Sequence, residues 1–173
     1  AVANGFFDVE GINVVILFPK GKVSQFQEHQ MTSLGKNIRA VEVEGTFDDC
    51  QALVKKAFVD PQLNNNMNLS SANSINIALL LPQMLYYFFA YKQLKKYGKP
   101  IVVSVPSGNF GNLTAGVIAK KMGLPIERFI AATNSNDTFT KYLVSGIYRP
   151  KPSVSTYSNA MDVGAPSNFE RLM

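Results

Sequence analysis

Residues 101–112, IVVSVPSGNFGN, run an apolar, β-branched segment straight into a polar loop that carries two glycines. A Val/Ile run without polar alternation is the pattern of a strand covered on both faces, as strands of parallel sheets are. The next residues, LTAGVIAKK, have the composition of a helix, and Gly123 and Pro125 supply its stop. Strand, glycine loop and helix in immediate succession make one half of a βαβ unit, so the stretch argues for an α/β chain.

The same alternation extends in both directions. Upstream, INVVILF (12–18) predicts a buried strand closed by Pro19 and Gly21, and a helix after the cap Ser24 that stops near Gly35. A second strand is expected over 39–43. Thr46 then caps a helix with the face Phe47, Cys50, Val54 and Phe58, and Pro61 with asparagines 64–66 ends that unit. A polar bend, SSANSIN (70–76), leads to a long helix over 75–97, in which Pro82 is expected to impose a kink. Downstream, a strand over 129–132 and a helix from Asp137 to Gly146 continue the series. The resulting expectation is an α/β fold in three layers, a mainly parallel sheet with helices on both faces. The bend divides it into a small βα lobe (1–68) and part of a larger lobe (69–173).

The loop at 107–112 also has a chemical use. Glycines 108 and 111 permit backbone approaches that a Cβ blocks, so successive N–H groups can converge on one anion at the positive end of a helix. Such a site needs no basic side chain. A P-loop requires Gly-Lys-Ser/Thr and a dinucleotide fingerprint requires Gly-x-Gly-x-x-Gly, and the loop has neither. A nucleotide-dependent oxidoreductase therefore ranks last. Spacing alone leaves two readings open, a cradle for a terminal phosphate and an ordinary strand-to-helix turn.

Composition narrows the classes. Hydrophobic residues make up 46% of the 173 and charged residues 17%, which describes a globular chain with a real core. The most apolar stretch, 75–91, is interrupted by Asn76, Pro82 and Gln83 and falls short of a bilayer span, so no membrane role is expected. Although the net charge is +5 and YYFFAYKQLKKYGK (86–99) interleaves aromatics with lysines, Lys95 and Lys96 sit where cations complement a helix carboxyl end. No nucleic-acid partner is expected. The single cysteine, Cys50, reads as a small buried hydrophobe in a reducing compartment, and the cytoplasm is the expected location.

PSGNFGNLTAG (106–116) resembles the cofactor-phosphate loop of the threonine synthase family, pyridoxal-phosphate enzymes of the tryptophan-synthase-β-like fold. The likeness continues through VEGTFDDCQ (43–51), NSIN (73–76), LLPQ (80–83), YYFFAY (86–91), ATNSND (132–137) and STYSNAMDVGAPSNFERL (155–172). The resemblance implies a truncated core of the fold-type II pyridoxal-phosphate enzymes, with Gly108, Asn109, Phe110, Gly111 and Asn112 holding the phosphate of pyridoxal 5'-phosphate. It implies O-phosphohomoserine as the small-molecule substrate, converted with water to threonine and phosphate, and it leaves room for an oligomer. On the same grounds Asn134, Ser155 and Thr156 are expected on the substrate side of the cofactor, with ordinary Asn and Ser turn chemistry as the competing reading. The family's Schiff-base lysine lies in a Phe-Lys-Asp-like segment upstream of a Ser-Gly-Asp-Thr-Gly loop, and neither segment occurs in this sequence. No catalytic residue is therefore assigned, and the piece is expected to be inactive alone. Related sequences usually carry Arg near Leu79. A noncatalytic phosphate-binding scaffold module is the competing reading.

The ends carry expectations of their own: AVANGFF reads as the later turns of a helix, and Ser167-x-x-Glu170 as a capping box announcing one. His29 has no partner at ligand spacing, and no metal is expected. Asp48 and Asp49 suit the first turn of a helix rather than paired catalysis, and Lys20 and Lys22 suit a solvated turn after a strand.

Overall fold

The computed structural model describes residues 2–73 and 76–172, which fall into two compact units, 1–69 and 70–173. The start of the helix expected at 75 lies outside the described residues.

In the first unit a single helical turn, α1 (Val2–Gly5), precedes strand β1 (Val14–Pro19), helix α2 (Gln25–Thr32) and strand β2 (Ile38–Val43). The two strands pair in parallel from Val14 opposite Ile38 to Pro19 opposite Val43. Ser24 caps α2 reciprocally: its hydroxyl accepts from Gln27 N at 3.3 Å, and Gln27 Oε1 accepts from Ser24 N at 3.1 Å. Helix α3 (Phe47–Val59) starts the same way, with Thr46 and Asp49 exchanging hydrogen bonds. Those bonds from Thr46 hold the Asp49 carboxyl below its ordinary pKa. Phe18, Ile38 and Cys50 are buried in this unit, and burial pushes the Cys50 thiol upward, as a packing role requires.

Pro61 does not end this unit. It opens a further helix, α4 (Pro61–Asn66), because a proline in the first turn sacrifices no intrahelical donor, while Asp60 Oδ1 accepts from Gln62 N (2.8 Å) and Leu63 N (3.0 Å).

In the second unit a 3₁₀ turn over Ile77–Leu79 leads into α5 (Leu80–Leu94), and a second 3₁₀ turn over Lys95–Tyr97 closes on left-handed Gly98. Pro82 stands in the first turn of α5, just after the change from 3₁₀ to α geometry, rather than in mid-helix. Strand β3 (Val102–Pro106), helix α6 (Gly111–Lys121), strand β4 (Arg128–Ala132) and helix α7 (Thr138–Ser145) follow. Strands β3 and β4 pair in parallel, Val102 opposite Arg128 through Pro106 opposite Ala132. The α/β class with parallel strands thus holds in each unit.

Helices α5 and α6 pack through Leu80, Met84, Ala115 and Ala119, joined by Leu124 and Ile126. Gly116 permits the close crossing: a Cβ there would lie 2.7 Å from the rings of both Phe129 and Tyr87. Beyond α7 the chain is irregular to 172, and its anchor is Phe169, which stacks on Tyr148 at 4.5 Å and meets Phe139 and Tyr142 edge-on. No helix among the described residues is long and apolar enough to cross a membrane.

Among the described residues one buried side-chain group is unsatisfied. The Gln51 amide nitrogen has no hydrogen-bond partner among the described residues, although the side chain is buried on α3. An orphaned buried donor costs about 1–3 kcal/mol, and methionine fills a similar volume without one. Gln51→Met is therefore expected to raise the unfolding free energy by about 1–3 kcal/mol in urea titrations, and an unchanged or lower value counts against this account.

Candidate functional site

Ligands of parallel α/β sheets bind beyond the carboxyl ends of the strands. In the second unit that end is assembled from three segments. The ladder runs one step past β3, with Ser107 N donating to Ala132 O at 2.8 Å, so the loops leaving β3 and β4 start side by side. The third segment is the irregular chain that follows α7.

The loop 107–112 begins buried and ends exposed. Ser107 directs its hydroxyl back to Val105 O at 2.9 Å, which commits it to the loop's own fold. Phe110 is the residue immediately before α6, and it takes the left-handed conformation (φ 62°), turning the chain sharply into the helix. Its ring is buried with Val105 and Leu113 and lies 4.5 Å from Phe139. Only its backbone is therefore placed to meet a ligand.

Among the described residues, the amides of Gly108, Phe110, Gly111 and Asn112 donate to no protein oxygen; the first intrahelical-type bond is Thr114 N to Phe110 O at 2.9 Å. Unclaimed donors in the first turn of an eleven-residue helix, at its positive end, are the arrangement that accepts a phosphate. The five residues expected to hold a phosphate lie at this corner, and among the described residues the backbone amides of four of them, Gly108, Phe110, Gly111 and Asn112, have no protein acceptor. A cradle made of amides fits the phosphate of a pyridoxal cofactor without a basic side chain.

Asn109 has a second task. Its Oδ1 accepts from Ser167 N at 2.6 Å and from Ser167 Oγ at 3.0 Å, and Asn168 Nδ2 donates to Asn109 O at 3.0 Å. The expected Ser167–Glu170 capping box is therefore not formed: Asn109 takes both Ser167 donors, and the segment closes into one 3₁₀ turn, Phe169–Arg171. Asn168 is fully buried.

Gly108 meets the same irregular segment. A Cβ built on it would stand 2.6 Å from Met161 Cα and 3.0 Å from the Met161 carbonyl carbon and oxygen, so backbone lies directly on backbone.

Of the residues expected on the substrate side, Asn134 and Thr156 come together and Ser155 stays apart. Asn134 Nδ2 donates to Thr156 Oγ1 (2.9 Å), Ser158 Oγ (3.0 Å) and Asp162 Oδ1 (2.9 Å), while Ser155 is exposed and makes no hydrogen bond among the described residues. Sequence reasoning missed Asp162 and Asn136, which complete this network. Asp162 sits inside the motif-like run 155–172, but no spacing marks a carboxylate whose partners are 26 and 28 residues away. Nearby, the Lys141 ammonium pairs with Asp137 at 2.7 Å, which holds the Asp137 carboxyl below its ordinary range. His29 is exposed, and no group of three metal-ligating side chains occurs among the described residues.

The far edge of the loop is tied to α5. Tyr87 Oη donates to Asn112 O at 2.7 Å, and burial lifts the phenol above its ordinary pKa. A raised folded-state value means that this contribution is whole below the unfolded pKa of about 10 and is lost as pH climbs through the folded value. The melting temperature of the chain is expected to fall more steeply above about pH 10 than that of Tyr87→Phe; parallel curves would remove the linkage. Gly108→Ala is expected to cost about 1–3 kcal/mol, read by the same melts, because the new methyl meets backbone rather than a movable side chain.

Comparison with known proteins adds a pattern that the geometry alone does not name. The family model for pyridoxal-phosphate dependent enzymes matches residues 8–172. Threonine synthase of Haemophilus influenzae is 58% identical over 173 residues, covering 99% of this chain and 41% of its own length. That of Escherichia coli is 53% identical, with 99% and 40% covered. Among solved structures, threonine synthase from Escherichia coli superposes with a TM-score of 0.94 over 99% of this chain and 40% of its own, at 53% identity. The PLP-bound threonine synthase from Brucella melitensis gives 0.82 over 98% of this chain and 37% of its own, at 45% identity. The chain thus spans about 40% of the length of the curated bacterial relatives it matches.

Proposed function

The chain belongs to the family of pyridoxal-phosphate dependent enzymes, and from that premise we propose that the protein to which this stretch contributes is a threonine synthase. Its reaction would be the conversion of O-phosphohomoserine and water to threonine and phosphate, a carbon–oxygen lyase activity exercised in the cytoplasm. When bound, pyridoxal phosphate supplies an electron-accepting ring that stabilises charge left on the substrate carbon.

The single observation that carries the assignment to these residues is the row of unclaimed amides at the start of α6. Among the described residues, the N–H groups of Gly108, Phe110, Gly111 and Asn112 donate to no protein oxygen. These amides, with that of Asn109, would grip the cofactor phosphate in the field of the helix. A charge at a helix amino end gains about 0.3–2 kcal/mol from the dipole, and each amide bond to a dianion adds to it. The first unit (1–68 in the sequence reading) would serve as the small lobe and 69–173 as the cofactor-phosphate lobe. Asn134 and Thr156, beside that corner, would face the substrate side; exposed Ser155 is free to do so as well.

No lysine of the chain is assigned to the covalent step, because the Phe-Lys-Asp-like and Ser-Gly-Asp-Thr-Gly segments of the resembling family do not occur in it. The isolated stretch would then hold cofactor without turnover. After addition of pyridoxal phosphate and reduction with borohydride, peptide mapping by mass spectrometry is expected to find no lysine labelled stoichiometrically. Labelling of one lysine in full would overturn that assignment, and release of phosphate from O-phosphohomoserine by the chain alone would overturn its inactivity.

A further inference from the structure

One carboxylate outside the phosphate loop gathers the side chains of two other loops. Asp162 Oδ1 accepts from Asn134 Nδ2 (2.9 Å), Asn136 Nδ2 (3.1 Å) and Thr156 Oγ1 (2.6 Å), and its Oδ2 accepts from Thr156 N (2.8 Å). Four donors on one half-buried carboxylate are charge-assisted bonds, the stronger class, and they come from both the loop after β4 and the irregular segment. Asn136 extends the tie, since its Oδ1 accepts from Val154 N at 2.8 Å.

Asp162 is also the residue after Met161, whose backbone lies against Gly108. Met161 N donates to Ser158 O at 2.8 Å, Asp162 N to Asn159 O at 3.1 Å and Val163 N to Met161 O at 2.9 Å, so the turn is tied together by its own backbone bonds. Whatever fixes the Asp162 carboxylate therefore fixes where the Met161 backbone stands. Gly108 has no side chain with which to absorb a shift of its neighbour.

We propose that Asp162 is a positioning residue for the phosphate loop: by drawing Asn134, Asn136 and Thr156 onto its carboxylate it sets the Met161 backbone against Gly108 and so the direction of the loop amides. The idea rests on the reading that those amides bind the cofactor phosphate. It assigns to Asp162 no contact with cofactor or substrate.

The test separates positioning from simple stability. The full chain is titrated calorimetrically with pyridoxal phosphate and with pyridoxal, which lacks the phosphate, and the bound phosphate is followed by ³¹P NMR. Asp162→Asn keeps the shape but loses the charge and places an amide where donors converge. It is expected to weaken binding of pyridoxal phosphate by about tenfold, the equivalent of one charge-assisted bond, to leave pyridoxal unaffected, and to move the bound ³¹P resonance. A lower melting temperature with the affinity and the resonance unchanged would show a structural role only and overturn the proposal. Should Asp162→Asn fail to fold, Thr156→Val keeps the carboxylate and removes the hydroxyl with its bonds to Asp162, Asn134 and Ser158, and wild-type phosphate affinity in that variant overturns the proposal equally. If the unmodified chain prefers pyridoxal phosphate to pyridoxal by nothing at all, the phosphate-loop reading itself falls, a result visible before any variant is made.

Discussion

The contact between the backbones of Gly108 and Met161 is the constraint around which the second unit is arranged. It presses the loop after β3 against a turn more than fifty residues later, with no side chain between them. Such an approach is open only to glycine, and it converts the polar ties of the irregular segment into a position for the loop. Asn109 reinforces it by holding Ser167 and by offering its carbonyl to Asn168. Two independent stretches of the same segment thus clamp one loop, while among the described residues the amides of Gly108, Phe110, Gly111 and Asn112 donate to no protein oxygen.

On the proposed reading, that division of labour would let a site for an anion do without a basic residue. In this loop the polar side chains are spent on structure: Ser107 bonds Val105, Asn109 bonds Ser167, and Asn112 Oδ1 accepts from Leu113 N at 2.8 Å. What remains for a ligand is backbone, fixed in place and carrying the partial charge of the helix. A lysine in the loop would bring more charge and far more conformational freedom. Fixed dipoles cost less reorganisation on binding, which suits a cofactor phosphate that serves as an anchor.

Much of this was legible in sequence because it depended on neighbours in the chain. The Ser24 and Thr46 caps, the strand before the glycine loop and the Gly146 stop are local features, and local propensity decided them. Pro61 misled for a local reason too: a proline ends a helix or begins one according to where the first turn falls, and composition does not register that by a few residues. The Ser167–Glu170 box failed because a partner 58 residues away competed for the same hydroxyl. Asp162 was invisible for the same reason, since each of its side-chain bonds to Asn134 and Asn136 joins residues brought near only by the fold. The motif around the loop could be read from sequence, whereas the clamp that aims it could not.

Phe110 shows how tightly aim and core are bound together. A non-glycine residue in the left-handed region costs about 1–2 kcal/mol, and a glycine at this position would avoid that cost. The ring, however, is 2% exposed and packs on Phe139, a burial worth about 1.5–3 kcal/mol for a side chain of this class. The two terms are of similar size and opposite sign, so the strained turn persists only while the ring stays in its pocket. Phe139 in turn meets Phe169, which anchors the segment that carries Asn168 and Asp162. Loosening that aromatic chain would free Phe110 to relax to negative φ, and the amides at the start of α6 would swing with it. The loop therefore depends on the aromatic core for its direction as much as on the polar clamp.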